Sequence, residues 1–464
     1  MADGRGGAGL CRGVARPLEV RSSACRGTVA TRADRAVTRR LRVLLLAEAA
    51  NPEWVSVPLV GWSLARALAE VADVHVVTQV RNRDAFLRAG LVEGRDFTAI
   101  DSEALAGPLW KLGTFLSGGR GGWTIQQAVA TISYPYFEHL VWKRFGPDIR
   151  AGRYDVVHRI TPLSPVQQSP IAAKCRAAGV PFVLGPINGG VPWPKGFEAE
   201  MKREREWLSK VRGLYRALPG RRSTLRADAI LAGSRQTLRD IPARHHDRVI
   251  YLPENAIDPA RFNARALHGG PGPMRACFIG RLVPLKGVDM LIAAAAPLLR
   301  DGRLVLEIIG DGDMMAPLRA QAAEFGGGVI FHGWKAHAEV QDIAARCQLL
   351  AFPSIREFGG GVVLEAMALG LAPVVVDYAG PAELVTDATG WKVPITGRAG
   401  VIAGLAARLA WCVDHPAEVA AKGEAARARV QALFTWERKA EQVLGIYHWI
   451  VTPDRPKPDP FGQE

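Results

Sequence analysis

Four charged residues in the second half of the chain sit where a reaction with an anionic leaving group would need them. Arg281 and Lys286 occur in IGRLVPLKG (279–287), after an apolar strand-like run and before a helical one. Arginine offers a planar fork of donors and lysine a point charge, so the pair suits a diphosphate. A solvated turn is the bland alternative. Glu357 and Glu365 flank a glycine run in FPSIREFGGGVVLEAMALG (352–370). Glycine permits close backbone approach, and the free N–H groups of a helix start bind anionic oxygen. Gly360 and Gly361 are therefore candidate contacts for a phosphate or a sugar. Paired carboxylates also cleave glycosides, but a retaining pair stands about 5–5.5 Å apart. The helical rise of about 1.5 Å per residue carries Glu365 about 6 Å along the axis from Gly361. The two carboxylates are better read as separate acceptors of hydroxyl hydrogen bonds along one ligand, with a helix-surface charge as the alternative for Glu365. Asp311-Gly312-Asp313 has the form of a metal-binding DxD, but a tight turn capping the next helix explains it. No metal and no cofactor is expected.

Such residues need strand ends to hold them. Short apolar runs alternate with amphipathic stretches along most of the chain, which is the pattern of α/β folds with parallel sheets. LRVLLLAEA (41–49), DVHVVTQV, YDVVHRI and VPFVLGPI predict strands of a first series, and HGGPGP (268–273) breaks it. A second series follows, from MRACFIGRL to APVVVDYAG. The expected architecture is two Rossmann-like domains facing a cleft: 41–265, on the acceptor side, and 266–433, the donor-binding side. A helix over 434–452 follows. Residues 1–40, rich in Gly, Ala and Arg, and the tail 453–464 are expected to be disordered. For 1–40 a misassigned start is the other plain explanation.

The Glu357–Glu365 spacing, with PS before it and AMALG after it, resembles the donor motif of the family 4 retaining glycosyltransferases, a group 1 family. GRLVPLKG upstream and DYAGPAELV (377–385) downstream are similar to the same family, and PENAIDPARF (253–262) resembles its interdomain hinge segment. The resemblance implies the glycosyltransferase type-B (GT-B) fold. It implies that Arg281 and Lys286 hold a donor diphosphate, Glu357 approaches the donor sugar, Glu365 binds the ribose, and Gly360 and Gly361 meet phosphate or sugar. Asn255 would lie near the domain crossing, and the 434–452 helix would return to the first domain. The chain departs from the family at Glu357-Phe358-Gly359-Gly360, where Gly-Phe-Gly usually follows the Glu, which puts the shape beside the sugar in question.

Other features are less specific. His158 in YDVVHRI matches family members whose histidine faces the donor sugar, and is a fourth catalytic candidate; a buried, satisfied histidine is the alternative. Gly61 is a candidate phosphate neighbour. The loop around it and LGPINGGVPWPKGF (184–197) are candidate acceptor contacts, with ordinary turns as the alternative. The formal net charge of +14 calls for an anionic partner. The expected partners are a nucleoside diphosphate sugar, a glycan or lipid-linked acceptor, and an anionic membrane surface. That surface would meet a basic amphipathic stretch over 202–226, giving a cytoplasmic protein peripheral on the inner face of the plasma membrane. Core packing of that stretch is the alternative. No nucleic acid is expected, because the cations are dispersed. The six cysteines show no CxxC spacing. The rival functions are a sugar-nucleotide epimerase on the same scaffold and a non-catalytic nucleic-acid binder.

Overall fold

A computed structural model describes residues 39–104, 123–204, 224–270, 272–452 and 454–462. The amino-terminal arm and most of the basic amphipathic stretch, 205–223, lie outside these residues.

Two parallel sheets organise the chain. The first contains β1 (Arg42–Ala47), β2 (Asp73–Gln79), β3 (Phe97–Ile100), β4 (Val156–Thr161), β5 (Phe182–Ile187), β6 (Ala229–Ala232) and β7 (Val249–Tyr251), in the order β3-β2-β1-β4-β5-β6-β7. The second contains β8 (Met274–Ile279), β9 (Leu304–Ile309), β10 (Val329–Gly333), β11 (Leu349–Phe352), β12 (Ala372–Val376) and β13 (Trp391–Val393), in the order β10-β9-β8-β11-β12-β13. Strands β4, β5, β11 and β12 are buried throughout. This follows from their continuous apolar runs, which helices cover on both faces. Strand order reverses between β1 and β4 and between β8 and β11. Ligands of open parallel sheets bind outside the carboxyl ends of the strands at such reversals.

Helix α1 (Val57–Val71) packs on one face of the first sheet through Val60, Leu64, Ala65 and Leu68. Gly61 belongs to that packing, because a β-carbon there would overlap the Ala49 carbonyl oxygen. Its place in the sequence is thus explained by contact between helix and strand end, and it does not reach the cleft. Helix α2 (Trp123–Arg150) covers the opposite face with Phe137, Val141, Phe145 and Ile149, and α3 (Val288–Arg300) packs on the second sheet against β9.

The chain crosses between domains twice, and the crossings run side by side. Ile257 and Thr435 form a parallel bridge, with Ile257 N–H donating to Phe434 O at 2.7 Å and Trp436 N–H to Ile257 O at 3.2 Å. Thr435 then caps helix α5 (Trp436–Val451), its hydroxyl accepting from Arg438 N–H at 3.2 Å. Helix α5 lies against α1 of the first domain. The tail also departs from the expected disorder over 454–462. Phe461 is buried against Tyr251 and Phe434, and Lys457 donates to His246 O at 2.9 Å. One aromatic side chain with an apolar socket offsets the low hydrophobicity of the surrounding segment.

Candidate active site

A cleft of about 1180 Å³ separates the domains. The loops after β1, β4 and β11 open onto it. Pro52, Val55 and Ser56 after β1, and Pro162 to Val166 after β4, form the first-domain wall; Glu357 to Val362 and Glu365 form the opposite one.

The loops after β8 and β11 are stitched together. Ile355 N–H donates to Leu285 O at 3.0 Å. Gly287 has φ 66°, and a β-carbon there would stand 2.8 Å from Pro353 O. Only glycine fits a left-handed residue this close to a neighbouring backbone. Held there, the Lys286 ammonium forms an ion pair with Glu357 Oε2 and lies 5.2 Å from the Phe352 ring centroid. Both partners are largely buried, at 13% and 23% side-chain exposure, so water screens their attraction less than on an open surface. The DYAG segment supports Glu357 from behind. Gly380 N–H donates to Glu357 O at 3.4 Å, and a β-carbon at Gly380 would overlap Phe358 O.

Gly360, at φ 64°, precedes helix α4 (Gly361–Leu369). Gly360, Gly361 and Val362 at its start line the cleft beside Glu357. Glu365 lies one turn further along α4, half-buried in the same wall. Burial pushes its carboxyl up to about 7, opposed by the charge of Arg261. The structure thus brings Lys286, Glu357, Gly360, Gly361 and Glu365 together. Neither Lys286 nor Arg281 is among the residues lining the cleft, and Lys286 joins this group through its ion pair with Glu357. The Arg281 backbone is wedged between two turns, since Leu282 N–H donates to Asp311 O at 2.9 Å and a β-carbon at Gly310 would overlap Gly280 O. The Arg281 side chain leaves this wedge toward solvent.

His158 is a correction. Strand β4 continues past it to Thr161, so it sits within the strand and is fully buried. Its Nε2 donates to Gly185 O at 2.5 Å and its Nδ1 accepts from the Tyr447 hydroxyl at 2.6 Å. Burial holds the ring neutral, with a pKa lowered to about 4. Both ring nitrogens are engaged in packing α5 onto the first sheet, and the side chain does not line the cleft.

The two candidate acceptor loops divide. Asn188, Gly189 and Gly190 line the cleft. Beyond them the loop touches the second domain, where Val191 O accepts from Arg356 Nε at 3.1 Å and Pro192 O from the Tyr378 hydroxyl at 2.9 Å. Trp193 stacks with Arg356 at 5.2 Å instead of facing the cavity. Asp311 accepts from Gly312 N–H at 2.7 Å, which makes it a turn residue, and Met314 rather than either aspartate precedes the next helix. Among the described residues no group of three His, Cys, Asp or Glu could hold a metal ion. Cys175, Cys277, Cys347 and Cys412 are free and buried.

Sequence reasoning missed the role of Glu254, which meets Asn188 of the candidate acceptor segment in the cleft wall. Asn188 Nδ2 reaches both Glu254 oxygens, at 2.9 and 2.8 Å. Burial pushes the Glu254 carboxyl up to about 7. Lys439 on α5 is fully buried nearby; burial lowers its pKa to about 7, and it donates to Pro253 O. The departure from Gly-Phe-Gly after Glu357 was the available signal. A β-carbon at Gly359 would overlap Glu254 Oε1 and Asn255 Nδ2.

Residues 265–427 match the family described as Glycosyl transferases group 1. The matched segment, which holds most of the second sheet and its helices, is thus similar to group 1 glycosyltransferases. The chain is 30% identical over 258 residues to the GDP-mannose-dependent monoacylated alpha-(1-6)-phosphatidylinositol monomannoside mannosyltransferase of Corynebacterium glutamicum, covering 49% of this chain and 65% of that protein. It is 32% identical over 202 residues to a glycogen synthase of Mycobacterium tuberculosis, covering 42% and 47%. The chain thus spans about half to two thirds of the length of these relatives. In three dimensions it is similar to Anabaena Alr3699/HepE in complex with UDP, with a TM-score of 0.56, 17% identity, and coverage of 88% and 99%. The two sheets therefore have the GT-B fold. Among the described residues no helix is long and apolar enough to cross a membrane.

Proposed function

We propose that the protein is a retaining glycosyltransferase that moves a sugar from a nucleoside diphosphate sugar to an acceptor hydroxyl. The observation that carries this reading is that Glu357 and Glu365 share one cleft wall beside the start of α4, with Lys286 ion-paired to Glu357. As the glycosidic bond breaks, the leaving diphosphate gathers negative charge and the sugar gathers positive charge. The Lys286 ammonium and the α4 N–H groups are preorganised for the first, and Glu357 for the second. Retention follows if the leaving phosphate takes the acceptor proton on the same face. Domain closure would keep water from the donor. Because Lys286 and the helix start supply the positive charge, transfer is expected to survive chelation of divalent metal.

For the acceptor we propose a lipid-linked or envelope glycan, reached from the inner face of the plasma membrane. The support is the basic stretch of the sequence and the acylated inositol acceptor named for the corynebacterial relative. A panel of UDP-, GDP- and ADP-sugars, followed by NMR with and without acceptor, tests the activity. Inverted product would overturn retention, and conversion of donor sugar without acceptor would favour epimerisation. Flotation with anionic liposomes at low and high salt tests the membrane. Failure to bind at low salt would exclude that partner.

A further inference from the structure

Glu254 is 5% exposed, yet it lines the cleft. A buried carboxylate is costly unless hydrogen bonds replace its water. Among the described residues one side-chain amide, that of Asn188, bonds to it, reaching both oxygens from a single nitrogen. The orientation of that amide is set, because Asn188 Oδ1 accepts from Gly189 N–H at 2.8 Å. An ionised carboxylate has about four acceptor positions. The Asn188 NH2 group can occupy two of them and the Glu254 backbone N–H a third, which leaves acceptor capacity on a group that borders the cavity.

Two glycines, one from each domain, make room for it. A β-carbon at Gly233 would stand 2.6 Å from Glu254 Oε2, and one at Gly359 would overlap Oε1. Gly359 is two residues from Glu357 and opens the turn leading to α4. Glu254 is therefore a third carboxylate beside that turn, contributed from the first-domain side of the hinge. The backbone beneath it is anchored by buried Lys439 through Pro253 O. A surface dense in rigid acceptors and approached by glycine backbone complements a polyol, whose hydroxyls are donors.

We propose that Glu254 contacts the transferred sugar, accepting hydroxyl hydrogen bonds that select among sugars carried on the same nucleotide. This rests on the reading of the cleft as a nucleoside diphosphate sugar site. A site built to pair with a hydroxyl strongly rejects the analogue that lacks it, because its own acceptor is then left unpaired.

The test compares wild type, Glu254→Gln and Glu254→Asp. Calorimetry measures affinity for bare UDP, GDP and ADP and for their sugar conjugates, and kcat/KM is measured for the preferred donor and its epimers and deoxy analogues. Nucleoside diphosphate affinity in Glu254→Gln should stay within about twofold of wild type. Its kcat/KM for the preferred donor should fall about ten- to a hundredfold, with weaker discrimination between epimers. Glu254→Asp keeps the charge but draws it back, and should shift preference in the same direction. It also provides the same readout if Glu254→Gln does not fold. Unchanged sugar preference, or equal loss of affinity for the bare nucleotide and its sugar conjugate, would overturn the assignment and leave Glu254 a packing residue. A wild-type protein that bound none of these nucleotides would sink the donor reading itself.

Discussion

In the second sheet, the loop after β11 carries Glu357 to the wall of the cleft, and the loop after β8 sets Lys286 against it. In the first sheet, His158 lies inside β4 beneath Tyr447. Both sets of residues look reactive in the sequence, and both follow apolar strand runs. The difference lies in what covers them. Lys286 and Glu357 are held by nearby loops and glycines within one domain, which leaves one side open. His158 is covered by a helix that arrives from the far end of the chain. Position along a strand is therefore weak evidence for chemistry until the covering element is known.

The largest expected effects sharpen this contrast directly. Lys286→Ala and Glu357→Ala should each lower kcat by about 100- to 1000-fold, the loss typical when a charge-stabilising group is removed. Far-ultraviolet circular dichroism should stay native-like. Wild-type turnover in either variant would break the comparison at its stronger side.

His158→Gln addresses the other side. It should lose about 1–3 kcal/mol of stability through the unmatched Tyr447 and Gly185 groups, measured by urea unfolding. Turnover per folded molecule should be nearly that of wild type. The pH response gives a second check. The His158 ring binds its proton less tightly in the folded state, with a pKa of about 4 against an ordinary 6.5. Its contribution is fully present above pH 6.5 and is lost as pH falls through 4. His158→Gln should flatten that acid limb of the stability curve.

Glu365 titrates in the opposite sense. Its carboxyl, at about 7 against an ordinary 4.5, binds its proton more tightly folded than unfolded. Its contribution favours the fold below pH 4.5 and declines as pH rises to 7. Glu365→Gln should reduce that decline in melting temperature, and Glu254, which remains, limits how completely. The smallest change is expected from Tyr447→Phe, which removes only the hydroxyl donating to His158 and should cost about 1 kcal/mol with no change in donor KM. A large KM effect would mean that His158 reaches the substrate after all.

The sequence made the second domain's site readable because its signals are local. Glycines, cations and carboxylates fall within a few residues of strand ends, and the glycines at 287, 359 and 380 explain themselves once neighbouring backbones are seen. The alternating pattern also carried the two-sheet α/β architecture. What escaped was long-range. The Glu254–Asn188 bond spans 66 residues, and the contacts of Val191 and Pro192 with Arg356 and Tyr378 depend on how the domains meet. The burial of Phe461 depends on an apolar socket assembled from Tyr251 and Phe434, which no window of sequence displays.

The bond between His158 and Tyr447 joins residues 289 positions apart. On the ribosome, the first sheet therefore waits for a helix made only after the whole second sheet. Until that helix emerges, the nascent first sheet keeps an imidazole and its apolar surroundings uncovered, while the second domain has every strand it needs. Maturation order and synthesis order are thus reversed, and the early half is the one with reason to engage a chaperone.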